Sequence, residues 1–239
     1  MFEETKRFHE LTKVHEPPKL STGAAPITHV QVFYKEYPRF ETVELPEPSA
    51  AAMSLDEAWQ RRSSTRAYSS LPLALEDVSA VLGSCRILDA EREPPRRSYP
   101  SAGARCPIEL YLLSFRVEGL EQGCSHYKMR THELEKLWPA ELAGRTDEIV
   151  SPYVADPAAA IVMTSVISRS EVKYGHKAYP FSLIEAGHMA QNIQLACAAH
   201  SLGCCSVGGF VDDAISSLLD LTEDEIPLYV LALGKTGSD

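Results

Sequence analysis

The stretch Lys173–Phe210, KYGHKAYPFSLIEAGHMAQNIQLACAAHSLGCCSVGGF, decides how the other segments must be arranged. Between Phe181 and Ser201, apolar or small side chains such as Leu183, Ile184, Ala186, Met189, Ala190 and Ile193 fall on nearly every helical face. A helix apolar all round is a buried helix. His188, Gln191, Asn192 and Gln194 interrupt the run, which stays short of the roughly 20 apolar residues a membrane span needs, so a protein core is its expected surrounding. Much of that core could belong to a second subunit. Gly203 is the expected helix stop. CCSVGGF then reads as a short apolar strand running into Gly208 and Gly209, where a bare backbone can approach something flat. Lys173 and Tyr174 stand just before the helix, and because adjacent side chains do not share a face, an irregular loop is expected there.

The chain of 239 residues is 23% charged and 44% hydrophobic, the profile of an ordinary globular protein with one large core. A net charge of -10 argues against general affinity for nucleic acid or an anionic membrane surface. MFEETKRFHELTK lacks the apolar run of a secretory signal, which points to a cytoplasmic protein. The six cysteines show no C-x-x-C spacing, so they are expected to be reduced, buried small hydrophobes rather than zinc ligands or disulfides. The histidines contain no HExxH, and His126 and His132 are expected at the surface.

Residues 1–52 are rich in proline and alanine, with a short HVQVFY alternation from His29 to Tyr34, and read as a surface arm preceding a domain over 53–239. Ser54-Leu55-Asp56-Glu57 is a capping box that opens a helix towards Arg62. RRSSTRAY follows. Its guanidiniums and hydroxyls could form an anion site, since arginine forks match phosphate oxygens, or be only a solvated helix end. A second helix over Leu75–Leu82 stops at Gly83, and Arg96 and Arg97 belong to a charged loop in which they are expected to be solvated. YPSAGARCP is a small-residue turn. IELYLLSFRV and CSHYKM read as paired strands, THELEKLWPAEL as a helix capped by Thr131, and AAAIVMTSVI as a fully buried strand. A helix from Asp212 and a last strand PLYVLAL complete an α+β pattern without G-x-G-x-x-G.

Taken in order, RRSSTRAY, PSAGARCP with IELYLL, KYGHKAY, EAGHMAQNIQLA and CSVGGF make the chain resemble the nitroreductase superfamily of FMN proteins over roughly residues 54–235. More narrowly it is similar to the SagB-type dehydrogenases, which oxidise azoline rings in peptide natural products. That narrower likeness rests mainly on Lys173-Tyr174-Gly175, with FHELTK near the start also shared. The resemblance implies a nitroreductase-like fold, a mixed sheet flanked by helices with a long buried central helix at a homodimer interface. It implies FMN held by Arg62, Ser63, Ser64 and Arg66 at the phosphate and ribityl chain, Arg66 reaching the pyrimidine edge of the flavin. Ser101, Ala102 and Gly103 would pack on the ring from the other subunit. Val207, Gly208 and Gly209 match the loop whose backbone N–H faces the flavin atom that accepts a hydride, where a side chain would hold the ring away.

In the azoline oxidases a Lys-Tyr pair carries the substrate chemistry, and Lys173 and Tyr174 match it. A lysine acts as the base that removes the acidified Cα proton only when neutral, and the tyrosine relays that proton or orients the ring. Read without the family, Lys173 is a surface charge and Tyr174 a packing residue. Three positions depart from the subfamily pattern: Cys106 replaces an aromatic, and Lys177 and Pro180 stand where arginines are common. Lys235 is the remaining candidate for a C-terminal phosphate ligand. The implied function is an FMN-dependent azoline dehydrogenase acting on a heterocyclised peptide, with a cyclodehydratase complex as a further partner. The rivals are a nitroreductase-like or cyclodipeptide-oxidising enzyme and a catalytically idle subunit of a biosynthetic complex.

Overall fold

The computed structural model describes residues 2–15, 31–142 and 144–237. In chain order the elements are α1 (Glu3–Leu11), β1 (Thr42–Glu44), α2 (Leu55–Arg61), α3 (Leu75–Gly83), β2 (Ile87–Asp89), β3 (Arg96–Arg97), β4 (Ile108–Ser114), β5 (Gly123–Lys128), β6 (Glu133–Pro139), α4 (Thr146–Ile149), β7 (Ala159–Val166), α5 (Ser168–Tyr174), α6 (Ala178–Ala199), β8 (Leu202–Val207), α7 (Asp212–Leu218) and β9 (Glu225–Lys235). A seven-stranded sheet runs in the order β1-β6-β5-β4-β7-β9-β8. Its named strands pair antiparallel, and a parallel bridge between Ser64 and Cys204 extends it past β8.

The central strands are buried on both faces, which is why they read as unbroken apolar runs. Ile108, Leu110 and Leu112 of β4, Ile161 and Met163 of β7, and Leu231 and Leu233 of β9 pack under α3 and α6 with Val81, Leu82, Met189 and Ile193. The alternate residues Tyr111, Leu113, Val162, Val230 and Ala232 face the other layer, with Ile149, Ile215 and Leu218. Each such aliphatic side chain contributes about 1.5–3 kcal/mol through burial. Ser54 caps α2 through the reciprocal box with Glu57. All six cysteines are free and buried.

Helix α6 buries Ala178, Ser182, Glu185, Ala186, Met189, Ala190, Ile193 and Cys197, a stripe at three- and four-residue spacing. Its other face stays open in this chain: Leu183 is 42% and Ile184 55% exposed. The helix does not end on Gly203. His200 is its C-cap and Ser201 takes the left-handed conformation at φ 58°. Gly203 lies inside β8 instead, where a Cβ would run into Thr65 and Tyr68. Among the described residues no helix is long and apolar enough to cross a membrane.

Four other expectations are corrected. THELEKLWP forms no helix: it is β6, paired with β5 so that Leu134 faces Tyr127 and Glu135 faces His126. Cross-strand packing overrides the helix preference of Glu, Leu and Lys. His126 is fully buried, and His132 is half-buried, with Nδ1 2.7 Å from Tyr127 Oη and Nε2 2.8 Å from Ser79 Oγ. Arg97 folds inward, donating to Phe33 O and, at 3.3 Å, to Tyr99 Oη. Lys173 and Tyr174 close α5 rather than lying in a loop. The turn falls one residue later, where Gly175 at φ 51° kinks the chain before α6. Of HVQVFY, His29 and Val30 lie outside the described residues, and residues 31–34 take no regular structure.

Candidate active site

Two sets of candidate site side chains lie along α6. One borders β8. Leaving α2, the segment Arg62–Arg66 runs beside that strand, and the Thr65 amide donates to Cys204 O at 2.9 Å. Arg62 Nη1 reaches Gln194 Oε1 at 3.5 Å, and Gln194 Nε2 donates to Ser206 Oγ at 2.9 Å. Ser63, Ser64 and Arg66 are exposed. Among the described residues neither Arg62 nor Arg66 forms an ion pair, although the chain carries an excess of carboxylates.

At the end of β8, Val207 and Phe210 are buried and hold the exposed loop of Gly208 and Gly209 between them. A Cβ on either glycine would meet nothing within 4 Å, so the platform is bare and open. Lys235 pairs with Leu202 at the opposite end of the strand, its Nζ 3.4 Å from Asp77 Oδ2. Five strand residues at about 3.3 Å each put roughly 17 Å between the two ends. Unpaired guanidiniums leading to an open glycine platform fit an elongated group with an anionic tail and a flat head, such as FMN.

The second set surrounds the turn that begins at Ser101. Gly103 has φ 57°, and a Cβ there would lie 2.8 Å from Lys173 Nζ and closer still to Tyr174 Oη. Both polar ends of the Lys-Tyr pair therefore rest over Gly103. Phe181 of α6 meets the Tyr174 ring edge-on, with centroids 5.1 Å apart. Ser101 Oγ accepts from the Cys106 amide at 2.8 Å, and Cys106 itself holds φ 48°, a strained value for a side-chain-bearing residue.

A buried polar chain fixes α5, which presents the pair. Arg169, one turn before Lys173, forms an ion pair with Glu109 at 2.6 Å and donates to Cys106 O at 2.9 Å. Arg105 Nε donates to Arg169 O. Glu109 Oε2 lies 3.1 Å from His126 Nε2, whose Nδ1 is 2.8 Å from Glu135 Oε2. Burial alone would push the His126 pKa down, but its bonds to Glu109 and Glu135 outweigh burial and leave it raised. Burial likewise pushes Glu109 up, yet His126 and Arg169 hold it below the usual carboxylate range. None of these anchoring residues stands out in the sequence. The nearest signal is Glu109, a single carboxylate within the otherwise apolar strand β4, whereas Glu135 lies in β6 beside Glu133 and Lys136.

Gly103, Lys173 and Tyr174 thus come together, while Arg62 and Ser64 lie along β8, linked through Gln194 to Ser206 and by the bridge to Cys204, with Val207 and Gly208 further along the chain. The two sets do not meet within one chain. Phe181 touches the first and Gln194 the second, and thirteen helical residues at 1.5 Å each separate them by about 20 Å.

Residues 59–235 match the nitroreductase family. The chain belongs to that family. This nitroreductase-family chain is 28% identical over 197 residues to a protein of Methanocaldococcus jannaschii named as a nitroreductase, covering 82% of this chain and 98% of that one. It is 27% identical over 157 residues to the microcin B17-processing protein McbC of Escherichia coli, covering 60% of this chain and 56% of McbC. Among solved structures, one from Anabaena variabilis named as a nitroreductase superposes with TM-score 0.79 at 25% identity. That match covers 97% of this chain but spans only 47% of the Anabaena chain. The E. coli microcin synthetase McbBCD complex with truncated pro-MccB17 bound matches with TM-score 0.65 at 22% identity, over 98% of this chain and 92% of that one.

Proposed function

We propose that this protein is an FMN-dependent dehydrogenase that oxidises thiazoline or oxazoline rings to thiazole or oxazole in a peptide natural product. The observation that carries this reading is the convergence of Lys173 Nζ and Tyr174 Oη on Gly103. The similarity to McbC, a processing protein for a peptide, supports a peptide substrate and a place in a multi-protein complex with a cyclodehydratase.

FMN, when bound, supplies the two-electron acceptor that ring oxidation needs. The chain's own groups do the rest. Arg62, Ser63, Ser64 and Arg66 hold the phosphate-bearing tail, Lys235 adds a cation at the far end of β8, and Gly208 and Gly209 let a flat ring lie against main chain. Ser101, Ala102 and Gly103 form the opposing wall, under the Lys-Tyr pair. Lys173 takes the ring Cα proton, and Tyr174, braced by Phe181, orients the ring or relays the proton. The gap of about 20 Å between the two sets, together with the open apolar face of Leu183 and Ile184, supports a homodimer in which each site draws on both copies.

The deciding experiment is mass spectrometry of a heterocyclised peptide supplied to the holoenzyme, expecting a loss of two hydrogens per ring. Rings left intact while simpler acceptors are reduced freely would favour a second reading, a nitroreductase acting on small molecules. The near full-length likeness to the M. jannaschii protein is what supports that alternative.

A further inference from the structure

Glu185 is a carboxyl for which neither the cofactor site nor the Lys-Tyr pair has a stated use. It sits on α6 at 2% exposure, and its Oε1 has no hydrogen-bond partner among the described residues. A carboxylate oxygen left without a partner in a protein interior is costly, so its position calls for a role. Glu185 lines a cleft of about 270 Å³ with Ser101, Ala102, Phe181 and His188. Two of these walls lead to the Lys-Tyr pair: Phe181 packs on the Tyr174 ring, and Ala102 directly precedes Gly103 beneath Oη and Nζ. Phe181 and Glu185 stand four residues apart on one helix face. The cleft walls are mainly apolar, and Ser101, Glu185 and His188 supply the polar groups that water entering the cleft would need.

Burial pushes the Glu185 carboxyl up to about 7, while the Ser101 hydroxyl and the cations Arg97 and Arg169 pull it down and Glu109 pushes it up. Tyr99 and Cys106 face it from the turn, and His188 from its own helix. A group balanced near neutrality can take up and release a proton within a catalytic cycle.

We infer that Glu185 is the proton acceptor behind Lys173 and Tyr174, receiving through the cleft the proton that the pair removes from substrate. This rests on the reading of Lys173 as the base. In the transfer, the Lys173 amine has taken the substrate proton and become an ammonium. A proton then moves by way of the Tyr174 hydroxyl or cleft water to the Glu185 carboxylate, leaving a neutral amine and a carboxylic acid. No electrons change hands in that step.

The test has one arm that needs no substrate. Carbon-13 methyl resonances of reductively methylated lysines are followed against pH, that of Lys173 being assigned by its loss in K173A. The wild-type Lys173 signal should show an inflection near pH 7 that disappears in E185Q; the same curve in both proteins would overturn the inference. In the kinetic arm, Glu185→Gln should lower kcat roughly 10-fold or more at little change in KM and erase the pH-rate inflection near neutrality, and Glu185→Asp should restore part of both. Turnover in E185Q with an unchanged pH profile would overturn the inference and leave the azoline reading standing. Failure of the wild-type enzyme on every azoline peptide would remove the azoline reading, and the titration would still decide whether Glu185 is linked to Lys173.

Discussion

Arg169 Nη1 lies 2.6 Å from Glu109 Oε1, joining the helix that ends in Lys173 and Tyr174 to a strand in the middle of the sheet. Both side chains are buried. Removing one partner strands the other charge, so Arg169→Met should cost about 3–5 kcal/mol in urea unfolding. Adding Glu109→Gln should recover part of that stability, because the amide removes the stranded charge while its oxygen still accepts from His126 Nε2. Activity should not return, since α5 would still lack its tether to Cys106 O. Recovery of both together would mean that the tether does not position the Lys-Tyr pair.

Stability should depend on pH with opposite signs at the two buried ionisable groups around Glu109. The Glu109 pKa is lowered on folding, so its contribution is present above its unfolded value of about 4.5 and is lost as pH falls through the folded one. The His126 pKa is raised, so its contribution is complete below its unfolded value of about 6.5 and is lost as pH rises through the folded one. In a Glu185→Gln background, where the opposing carboxyl of Glu185 no longer titrates, the midpoint of thermal unfolding should therefore peak at about pH 5 to 6. His126→Gln should flatten the alkaline side of that curve.

Glu185 works against stability at neutral pH. Its folded pKa of about 7 exceeds the model-compound value of 4.5, so stability is lost as pH rises from the lower value to the higher. Glu185→Gln should then be more stable than wild type at pH 8 by on the order of 1–3 kcal/mol, and indistinguishable near pH 4. Calorimetric melts at the two pH values measure this directly. Equal differences at both would show that the carboxyl is not raised.

What could be read from the chain follows from how local its signals are. The capping box at Ser54, the buried runs of β7 and β9 and the glycines after β8 are written in neighbouring residues, and each was legible. THELEKLWP was not, because its helix-forming composition is overruled by pairing with β5, a contact made outside the segment. Arg169 and Glu109 lie far apart in sequence, and nothing near either marks them as partners. His126 looked like a surface histidine because the two carboxylates that hold it, Glu109 and Glu135, come from different strands. Motif resemblance pointed to Gly103 and to Lys173-Tyr174 separately; only the fold puts them in contact.

That contact gives a substitution with an internal control. Gly103→Ala places a methyl group where Lys173 Nζ and Tyr174 Oη now lie, at a left-handed φ of 57°. The backbone strain alone costs about 1–2 kcal/mol. Gly119 has a similar left-handed φ of 77° with nothing near its missing Cβ, so Gly119→Ala should carry the strain without the displacement. Both variants should lose comparable stability in urea. Only Gly103→Ala should lose activity, by roughly 10-fold or more.

The cationic strip beside β8 makes a last, quantitative demand. A charge-assisted hydrogen bond to a phosphate is worth about 1.5–3 kcal/mol, so Arg62→Ala and Arg66→Ala should each weaken FMN binding by roughly 10- to 100-fold in a fluorescence titration of the apoprotein. Arg66→Lys should recover only part of the affinity, since an ammonium cannot offer two parallel donors. Lys235→Ala should matter less, because its Nζ is already drawn towards Asp77 at 3.4 Å. Arg96 lies exposed on β3, away from this strip, and its alanine variant should bind FMN as wild type does. If all four arginine and lysine variants weaken binding equally, the attraction is the field of any surface cation, and Arg62 and Arg66 hold no phosphate in particular.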